Sequence, residues 1–261
     1  MKQKDGYKIL PLTFNRKAVI ASATVTGEKN TIHCITEVDI SEPRRIINEH
    51  FQKTGEKLSL TAYVVTCLVQ VIKDHPLLNS FISGRRQILL DDVTVSVLIE
   101  RELKGERVPE PMAISKAQAK SFREIHNEIR AAQDKEGQQL GNLTGSTWFR
   151  LIPGFLIKTF IRIADRNIRM GMRYGKVAVT AVGMFSREST WFIPHGSATV
   201  LITVGGINLK PVREGTTIME KEHLCITASF DHNIVDGAPA SRFMKQFTET
   251  LKSGLLLCPT E

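Results

Sequence analysis

Strand-like and helix-like apolar patterns follow one another along the whole chain. Strand signals fall at residues 31–40, 93–100, 176–182, 197–207 and 223–230. Helical spacing of apolar residues falls between and after them, at residues 16–27, 115–133 and 238–253. Because the two patterns are interleaved and the sequence contains no repeat, they predict one α/β domain, residues 1–261, built around a mixed sheet.

Serine, proline and glycine residues mark where several helices begin and end. Ser41 precedes an apolar series with Pro43 in its first turn, which predicts that Ser41 caps this helix. Ser59 opens a longer helix, whose apolar stripe ends before Pro76. The last helix is expected to stop at Gly254, since glycine favours helix C-termini.

The composition is that of an ordinary globular protein with a basic surface. Hydrophobic residues make up 42% and charged residues 24% of the 261 residues, and the formal net charge is +8. A positive surface favours anionic partners such as nucleic acid, anionic lipid or a phosphorylated cofactor. The first residues lack the apolar core of a signal peptide, and the sequence contains no apolar run of about eighteen residues. We therefore expect a cytoplasmic protein.

Neither the cysteines nor the histidines have the spacing of a metal site. The four cysteines are far apart and form no CxxC pair; they are Cys34, Cys67, Cys225 and Cys258. This spacing favours reduced, buried thiols over a disulfide framework. The seven histidines show no ligand spacing on one helix or hairpin, so no metal is expected.

One basic segment, residues 148–175, stands apart from the rest of the chain. Together with Lys176 it carries seven basic residues and one acidic residue, Asp165. Five of the basic residues recur every three or four positions: Lys158, Arg162, Arg166, Arg169 and Arg173. This spacing predicts one basic stripe along a helix, with Phe155 and Phe160 on another face.

The segment DHNIVDG, residues 231–237, places a histidine where a strand gives way to a helix. His232 follows the apolar strand signal, and Asp236 and Gly237 precede the last helix. Corners of this kind display reactive side chains. A single histidine near a strand end is more often structural, so the motif by itself is weak evidence for catalysis.

The residues around His232 resemble those of a known family. The string SFDHNIVDGAPASRF is similar to the active-site motif of the acyltransferase cores of 2-oxo-acid dehydrogenase complexes, the dihydrolipoamide acyltransferases. Further similar strings follow in the family's order over residues 8–135 and 176–256, namely LPLTFNRKAVIA, TIHCITEVDIS, LSLTAYVVTCLVQVIKDHPLLNSFI and VAVTAVGMF. The resemblance implies the family's fold, a two-layer, mixed-sheet α/β sandwich of the chloramphenicol acetyltransferase type.

The resemblance implies catalytic roles for two residues. The motif histidine of the family is the general base that takes a proton from an attacking thiol, which makes His232 the base here. A hydroxyl three residues before the glycine of the family's x-x-Gly-x-Phe strand stabilises the oxyanion. That position is Thr180, ahead of Gly183, with threonine in place of the usual serine. Without the family, Thr180 would be an ordinary strand residue.

The resemblance also implies residues that support the site. Asp236 corresponds to a structural carboxylate that holds the histidine loop through an arginine. We expect Arg16 to be that arginine, with Lys17 as the alternative because the alignment there can shift by one residue. Gly237 is expected to adopt a backbone geometry that a Cβ atom would block.

The substrates and assembly of the family are implied in the same way. Coenzyme A would be a substrate, in its acylated form the donor, and the acceptor a lipoyl group, another thiol, an amine or an alcohol. Family members form homotrimers with active sites between subunits, and larger assemblies. This sequence lacks the lipoyl and subunit-binding domains that precede the family's core, so a lipoyl group would come from another chain. His195 is a candidate for the acceptor end of the channel.

Two departures from the family pattern support an alternative function. Asn233 stands where the family usually has arginine, and Thr180 where it usually has serine. A non-catalytic relative that keeps the trimeric scaffold for assembly or regulation would tolerate both changes. The presence of His232 and of a hydroxyl at position 180 favours the enzyme, because a scaffold needs neither.

Residues 148–175 look like an insertion relative to the family. Three interpretations are open: a solvated amphipathic helix packed on the core, a helix at an anionic membrane surface, or a border of the coenzyme A entrance that attracts phosphates. Nucleic-acid binding is disfavoured because no recognition motif accompanies the charge.

Overall fold

The structure is a computed structural model that describes residues 2–4, 6–10, 12–103, 106–134, 154–183, 186 and 188–257. Its helices are α1 (Phe14–Thr26), α2 (Ser41–Thr54), α3 (Leu60–Ile72), α4 (Phe122–Asp134), α5 (Gly154–Arg166), α6 (Ile168–Tyr174) and α7 (Gly237–Ser253). Its strands are β1 (Lys2–Lys4), β2 (Tyr7–Ile9), β3 (Thr31–Asp39), β4 (Ser80–Ser83), β5 (Arg86–Leu89), β6 (Val95–Leu103), β7 (Glu106–Ile114), β8 (Val177–Ala181), β9 (Val200–Glu214) and β10 (Thr217–Asp231).

Six strands form the central sheet, in the order β3-β10-β9-β8-β6-β7. β8 runs parallel to both of its neighbours, β6 and β9, and the other neighbouring strands are antiparallel. The strands β1 and β2 form a separate hairpin, as do β4 and β5. The predicted α/β class and the mixed sheet are confirmed.

The hydrophobic core lies between one face of this sheet and the helices α2, α3, α4 and α7. Alternate residues of the central strands enter the core, such as Val177 and Val179 on β8. The hydroxyl of Tyr63 on α3, fully buried, donates to the carbonyl of Leu251 on α7 at 2.8 Å and ties the two helices together. The residues between the core-facing ones, Thr180 among them, therefore point from the opposite face of the sheet.

The helix boundaries agree with the sequence in two of three places. The Ser59 hydroxyl accepts a hydrogen bond from the Ala62 N–H at 3.2 Å, so Ser59 caps α3 as predicted. Gly254 adopts the left-handed conformation that ends α7, with φ 71°. The predicted cap at Ser41 is wrong: α2 already includes Ser41, whose hydroxyl accepts instead from the Glu222 N–H on β10 at 3.1 Å.

The basic segment forms two helices rather than the predicted one. The break falls at Asn167, whose side chain accepts from the Met170 N–H at 3.2 Å and so caps α6. α5 packs along α1 with Ile157 buried, which supports the packed-helix interpretation. Residues 148–153 of the predicted insertion lie outside the described residues. Within the described ranges, every helix is too short or too polar to cross a membrane.

Three of the four cysteines lie in the described part of the chain, and their thiols are free, as predicted. Cys67 and Cys225 are buried and Cys34 is half-buried. Burial raises the pKa of the Cys67 thiol to about 12, so this thiol stays protonated and unreactive. Cys258 lies outside the described residues.

Candidate active site

His232 lies in the turn directly after β10, where its backbone and ring are both held. The His232 N–H donates to the carbonyl of Asn30 at 2.7 Å, which ties the turn to the residue before β3. Its ring Nδ1 lies 3.1 Å from the carbonyl oxygen of Val235. Because a carbonyl can only accept, Nδ1 carries the proton in this contact, and in the neutral ring Nε2 is the nitrogen that can accept one. The side chain is 45% exposed.

Asp236 lies beside the histidine but is not held by an arginine. Its carboxylate oxygen is 3.6 Å from His232 Nδ1, and its side chain is 86% exposed at the start of α7. Arg16 and Lys17 are exposed on α1, and neither forms an ion pair with Asp236 among the described side chains. The expected pairing is therefore not found in this chain; the contact described for Asp236 is with the imidazole itself.

The turn is instead organised by residues that the motif alone does not reveal. Asp231 accepts hydrogen bonds from the backbone and the side chain of Asn233, at 3.1 and 2.8 Å. The side-chain oxygen Oδ1 of Asn233 in turn accepts from the side-chain amide of Asn30 at 3.0 Å. Asn233, which departs from the family pattern, thus closes the turn against residue 30. The sequence holds no signal for Asn30, since it precedes a strand far away in the chain.

Thr180 lies on β8 in the middle of the sheet, paired in register with Leu98 on β6 and Thr203 on β9. It lines a pocket of about 420 Å³ on the face away from the core. The walls are mostly apolar and come from β6, β8, β9 and residues 192–195: Ser96, Leu98, Ala178, Val179, Thr180, Val182, Phe192, Ile193, Pro194, His195, Leu201 and Thr203. His195 therefore shares this pocket with Thr180.

Two further hydroxyls lie in the same row of the sheet. Thr203 and Thr227 are 1% exposed and occupy neighbouring positions on β9 and β10. Neither hydroxyl has a hydrogen-bond partner among the described residues. The hydroxyls that follow Thr180 across the sheet are thus unpaired polar atoms beside an apolar pocket. This arrangement suits a ligand that has both polar and apolar parts.

A second histidine lies on the same face, on β3. His33 Nδ1 is 2.8 Å from the Ser229 hydroxyl. Burial, and then the neighbouring His195, lower the pKa of His33, so its ring is held neutral. The neutral ring hydrogen-bonded to a buried serine fits the structural role expected for a strand histidine.

The two glycines of the site have opposite surroundings. A Cβ atom on Gly183 would lie 1.8 Å from the backbone of Gly205, so the close approach of these segments requires glycine. A Cβ atom on Gly237 would meet nothing within 4 Å, and Gly237 is the first residue of α7. The expectation that a Cβ atom is blocked at Gly237 is wrong, because the helix starts in open space there.

One chain does not bring His232 and Thr180 together. Thr180 is in register with Thr203, and Thr203 with Thr227, so Thr180 lies two strands from β10. His232 also follows Thr227 by five residues. Thr180 and His232 are therefore separated by about 10 Å across the sheet and by about 17 Å along the strand direction. Within one chain, the histidine and the hydroxyl are therefore too far apart to act on the same bond.

The chain matches the sequence profile of the 2-oxoacid dehydrogenases acyltransferase (catalytic domain) over residues 5–147 and 165–258. It belongs to this family. The 2-oxoacid dehydrogenase acyltransferase profile includes β3, β8 and the turn with His232. Residues 148–164, which contain most of α5, lie outside the matched ranges.

A curated relative is similar to this chain over nearly its whole length. The lipoamide acyltransferase component of the branched-chain alpha-keto acid dehydrogenase complex of Bacillus subtilis is 26% identical over 255 residues, which cover 95% of this chain and 53% of that protein. The chain thus spans about half the length of the curated relatives that it matches.

Two solved structures share the fold. A structure of the Azotobacter vinelandii dihydrolipoamide acetyltransferase, studied for the roles of a serine, a histidine and an asparagine in catalysis, has a TM-score of 0.71 at 16% identity and 99% coverage of both chains. Chloramphenicol acetyltransferase has a TM-score of 0.53 at 16% identity, with 92% of this chain and 98% of that chain covered. The predicted fold type is confirmed.

Proposed function

We propose that this chain is an acyltransferase that moves an acyl group between coenzyme A and a thiol acceptor of the dihydrolipoyl type, with His232 as the general base. One observation carries the proposal. The Val235 carbonyl accepts from Nδ1, so in the neutral ring Nε2 is left as the proton acceptor, on a side chain that is 45% exposed. A base held in this way raises the rate by about 100- to 10,000-fold.

Each step uses a group of this chain. His232 Nε2 takes the proton of the acceptor thiol while the sulfur attacks the thioester carbonyl and a C–S bond forms. The Thr180 hydroxyl donates a hydrogen bond to the oxyanion of the tetrahedral intermediate. The C–S bond to coenzyme A then breaks, and His232 returns the proton to the departing sulfur. The reaction is reversible because both sides hold one thiol and one thioester.

The pocket beside Thr180 fits an acyl thioester. Its walls are apolar, and no lysine or arginine lies among the described residues that line it. The hydroxyls of Thr180 and Thr203 supply hydrogen-bonding groups within these walls. This combination suits an uncharged chain carrying a single polar carbonyl.

The site is completed by two subunits in this proposal. His232 and Thr180 are two strands and five residues apart in one chain. A cyclic homotrimer would place the histidine of one subunit against the threonine of the next, and three equal sites would form. The lipoyl group would be carried by a separate protein or domain.

The spacing of residues in a relative supports these roles. In the Azotobacter vinelandii enzyme, the serine and the histidine studied for catalysis are separated by the same number of residues as Thr180 and His232. The asparagine follows that histidine as Asp236 follows His232. Thr180 retains the hydroxyl of the serine, and Asp236 retains a polar oxygen near the ring.

The first experiment measures the release of free coenzyme A from a panel of acyl-coenzyme A donors, with dihydrolipoamide as the acceptor. We compare the wild type with His232→Ala and with His50→Ala, a control on α2 whose ring contacts Glu56. We expect turnover in the wild type and the control, and a loss of about 100- to 10,000-fold in His232→Ala.

Two results would contradict the proposal. Equal turnover in His232→Ala would remove the histidine from the mechanism. If the wild type neither released coenzyme A nor bound it in a calorimeter, the non-catalytic scaffold would become the better hypothesis. The ordered turn around Asn233 argues against that alternative, because the substitution leaves the histidine held on both sides.

A further inference from the structure

Four charged side chains form a row that ends at the turn carrying His232. In order, they are Lys176, Asp165, Lys29 and Asp231, so cations and anions alternate. Lys176 Nζ lies 2.7 Å from one carboxylate oxygen of Asp165, and Lys29 Nζ lies 3.4 Å from the other. Lys29 Nζ is also 3.6 Å from the carboxylate of Asp231. All four side chains are at most 17% exposed, so water screens these contacts only weakly.

Lys29 is the central member of this row. Its ammonium group donates to the carbonyl of Ser197 at 2.6 Å as well as facing Asp165 and Asp231. Ser197 ends the segment whose earlier residues, including His195, line the pocket beside Thr180. One ammonium group therefore connects α5, the pocket segment and the end of β10.

The row leads directly to the histidine. Asp231 precedes His232 and accepts both hydrogen bonds from Asn233. Lys29 precedes Asn30, whose carbonyl accepts the His232 N–H at 2.7 Å. One contact of the histidine turn therefore involves Asp231, which belongs to the row. The other involves Asn30, which follows Lys29 of the row in the chain.

The two cations and two anions of the row hold one another in position. Burial acts to raise the pKa of Asp165, but the facing ammonium groups of Lys29 and Lys176 outweigh it and hold that pKa below its ordinary value. A charge that loses its partner in such a place is strongly destabilising, whereas a paired one keeps its position. The ionised carboxylate of Asp165 therefore holds Lys29, and Lys29 holds Asp231.

We propose that Lys29 and Asp165 are positioning residues, which use helix α5 to hold the His232 turn in its productive geometry. The role of His232 as the base rests on the proposed function. The attachment itself does not, and it can be measured without any substrate. Asp165 is the first residue of the second range that matches the family, so the attachment reaches the border of that match.

Lys29→Met is the informative variant. It removes the central ammonium group but leaves Lys176 paired with Asp165 at 2.7 Å, so the best-buried cation of the row keeps its partner. Lys29→Arg keeps the positive charge. Lys158→Met is the matched control, because Lys158 on α5 pairs with Glu28 at 3.3 Å, next to Lys29 in the chain but outside the row.

The readout is the state of His232, observed by nitrogen-15 NMR of the ring and by hydrogen exchange of its amide. In wild type, Lys29→Arg and Lys158→Met we expect the Nδ1-protonated ring and a protected amide. In Lys29→Met we expect a mixture of ring tautomers and amide exchange faster by about tenfold or more. Wild-type behaviour of His232 in Lys29→Met would overturn the proposal, as would equal changes in Lys158→Met and Lys29→Met.

Kinetics supply the second measurement. A misplacement of about 1 Å can cost about 100-fold in rate, so we expect Lys29→Met to lower kcat by about 10- to 100-fold. KM for the acyl-coenzyme A donor should change by less than about twofold, because Lys29 does not line the pocket. If the wild type shows no transfer at all, the proposed function fails, while the NMR comparison still decides whether Lys29 positions the turn.

Discussion

At the scale of single residues, Thr180 combines an ordinary strand position with an unusual setting. Its neighbours in the row across the sheet are two buried hydroxyls without partners among the described residues, and its pocket is mostly apolar. A hydrogen bond to a developing oxyanion is worth more in such surroundings than in water. The side chain can therefore stabilise a transition state without any change in backbone structure.

We predict that two substitutions of Thr180 differ in their effect on kcat. Thr180→Val keeps the shape of the side chain but removes the hydroxyl, so kcat should fall by about 100- to 1,000-fold. Thr180→Ser keeps the hydroxyl and should retain activity within about tenfold of the wild type. Coenzyme A release under saturating donor is the measurement, and thermal unfolding checks that both variants fold. Full activity in Thr180→Val would exclude this residue as the oxyanion donor.

Alanine at the two glycines of the site should affect stability in opposite directions. Gly183→Ala pushes a Cβ atom into the Gly205 backbone, so the free energy of unfolding should fall by about 1–3 kcal/mol or more. Gly237→Ala has open space and an ordinary helical position, and should raise it by about 0.4–1 kcal/mol. Urea unfolding of both variants tests the pair, and a large loss at Gly237 would show that the backbone there is constrained after all.

The residues of the site differ in how well the sequence could predict them. His232 and Thr180 stand in strings whose resemblance to one family predicts a function for them. The Arg16–Asp236 pair depends on where two side chains point, and it is not found among the described contacts. Lys29 could not be predicted, since its partners Asp165, Asp231 and Ser197 are brought to it only by the fold.

At the scale of elements, α4 is fastened to the start of α3 by a buried histidine. His126 is 3% exposed, and its Nδ1 accepts from the Ser59 N–H at 3.1 Å. Burial, together with Arg130 and Arg123, lowers the pKa of His126 despite the nearby carboxylate of Glu56. The ring is therefore neutral in the folded protein, and protonation of Nδ1 would break the contact with α3.

This depressed pKa predicts a loss of stability in acid. The unfolded chain binds a proton at His126 from about pH 6.5 downwards, whereas the folded chain resists it until its lower pKa is reached. The free energy of unfolding should therefore fall as the pH drops below about 6.5. His126→Asn, whose side-chain oxygen can accept the same hydrogen bond, should show a flatter profile in urea titrations between about pH 7 and pH 5. Identical slopes would remove His126 as a source of the acid sensitivity.

Elements were predictable where one local pattern decides them. The strands β3, β6, β8, β9 and β10 follow from alternation, and α3 follows from helical spacing and the Ser59 cap, whereas the strands β1, β2 and β7 were not predicted. The division of the basic segment into α5 and α6 depends on Asn167 capping a second helix inside a continuous basic stripe. Lys176 was counted with the charge of that segment, but it lies buried directly before β8 against Asp165. The spacing of the charges predicts that they share one face of a helix. Only the fold determines which of these charges form ion pairs.

At the scale of the whole molecule, strand order sets how far apart the two proposed catalytic residues lie. β9 separates β8 from β10, so Thr180 and His232 cannot meet across neighbouring strands. Both nevertheless remain available, since the ring of His232 is half exposed and Thr180 lines an open pocket. In the proposed mechanism each chain carries two half-sites, and a symmetric ring of identical chains would join them.

Mixing two inactive variants tests this arrangement. In His232→Ala every chain keeps its threonine half-site, and in Thr180→Val every chain keeps its histidine half-site. If each site joins two subunits, a 1:1 mixture that is unfolded and refolded together should regain about one quarter of the wild-type activity, because about one interface in four then combines both intact halves. If each site lies within one chain, the mixture should be as inactive as its components. Mixing without exchange of subunits is the control, and activity there would point to contamination rather than complementation.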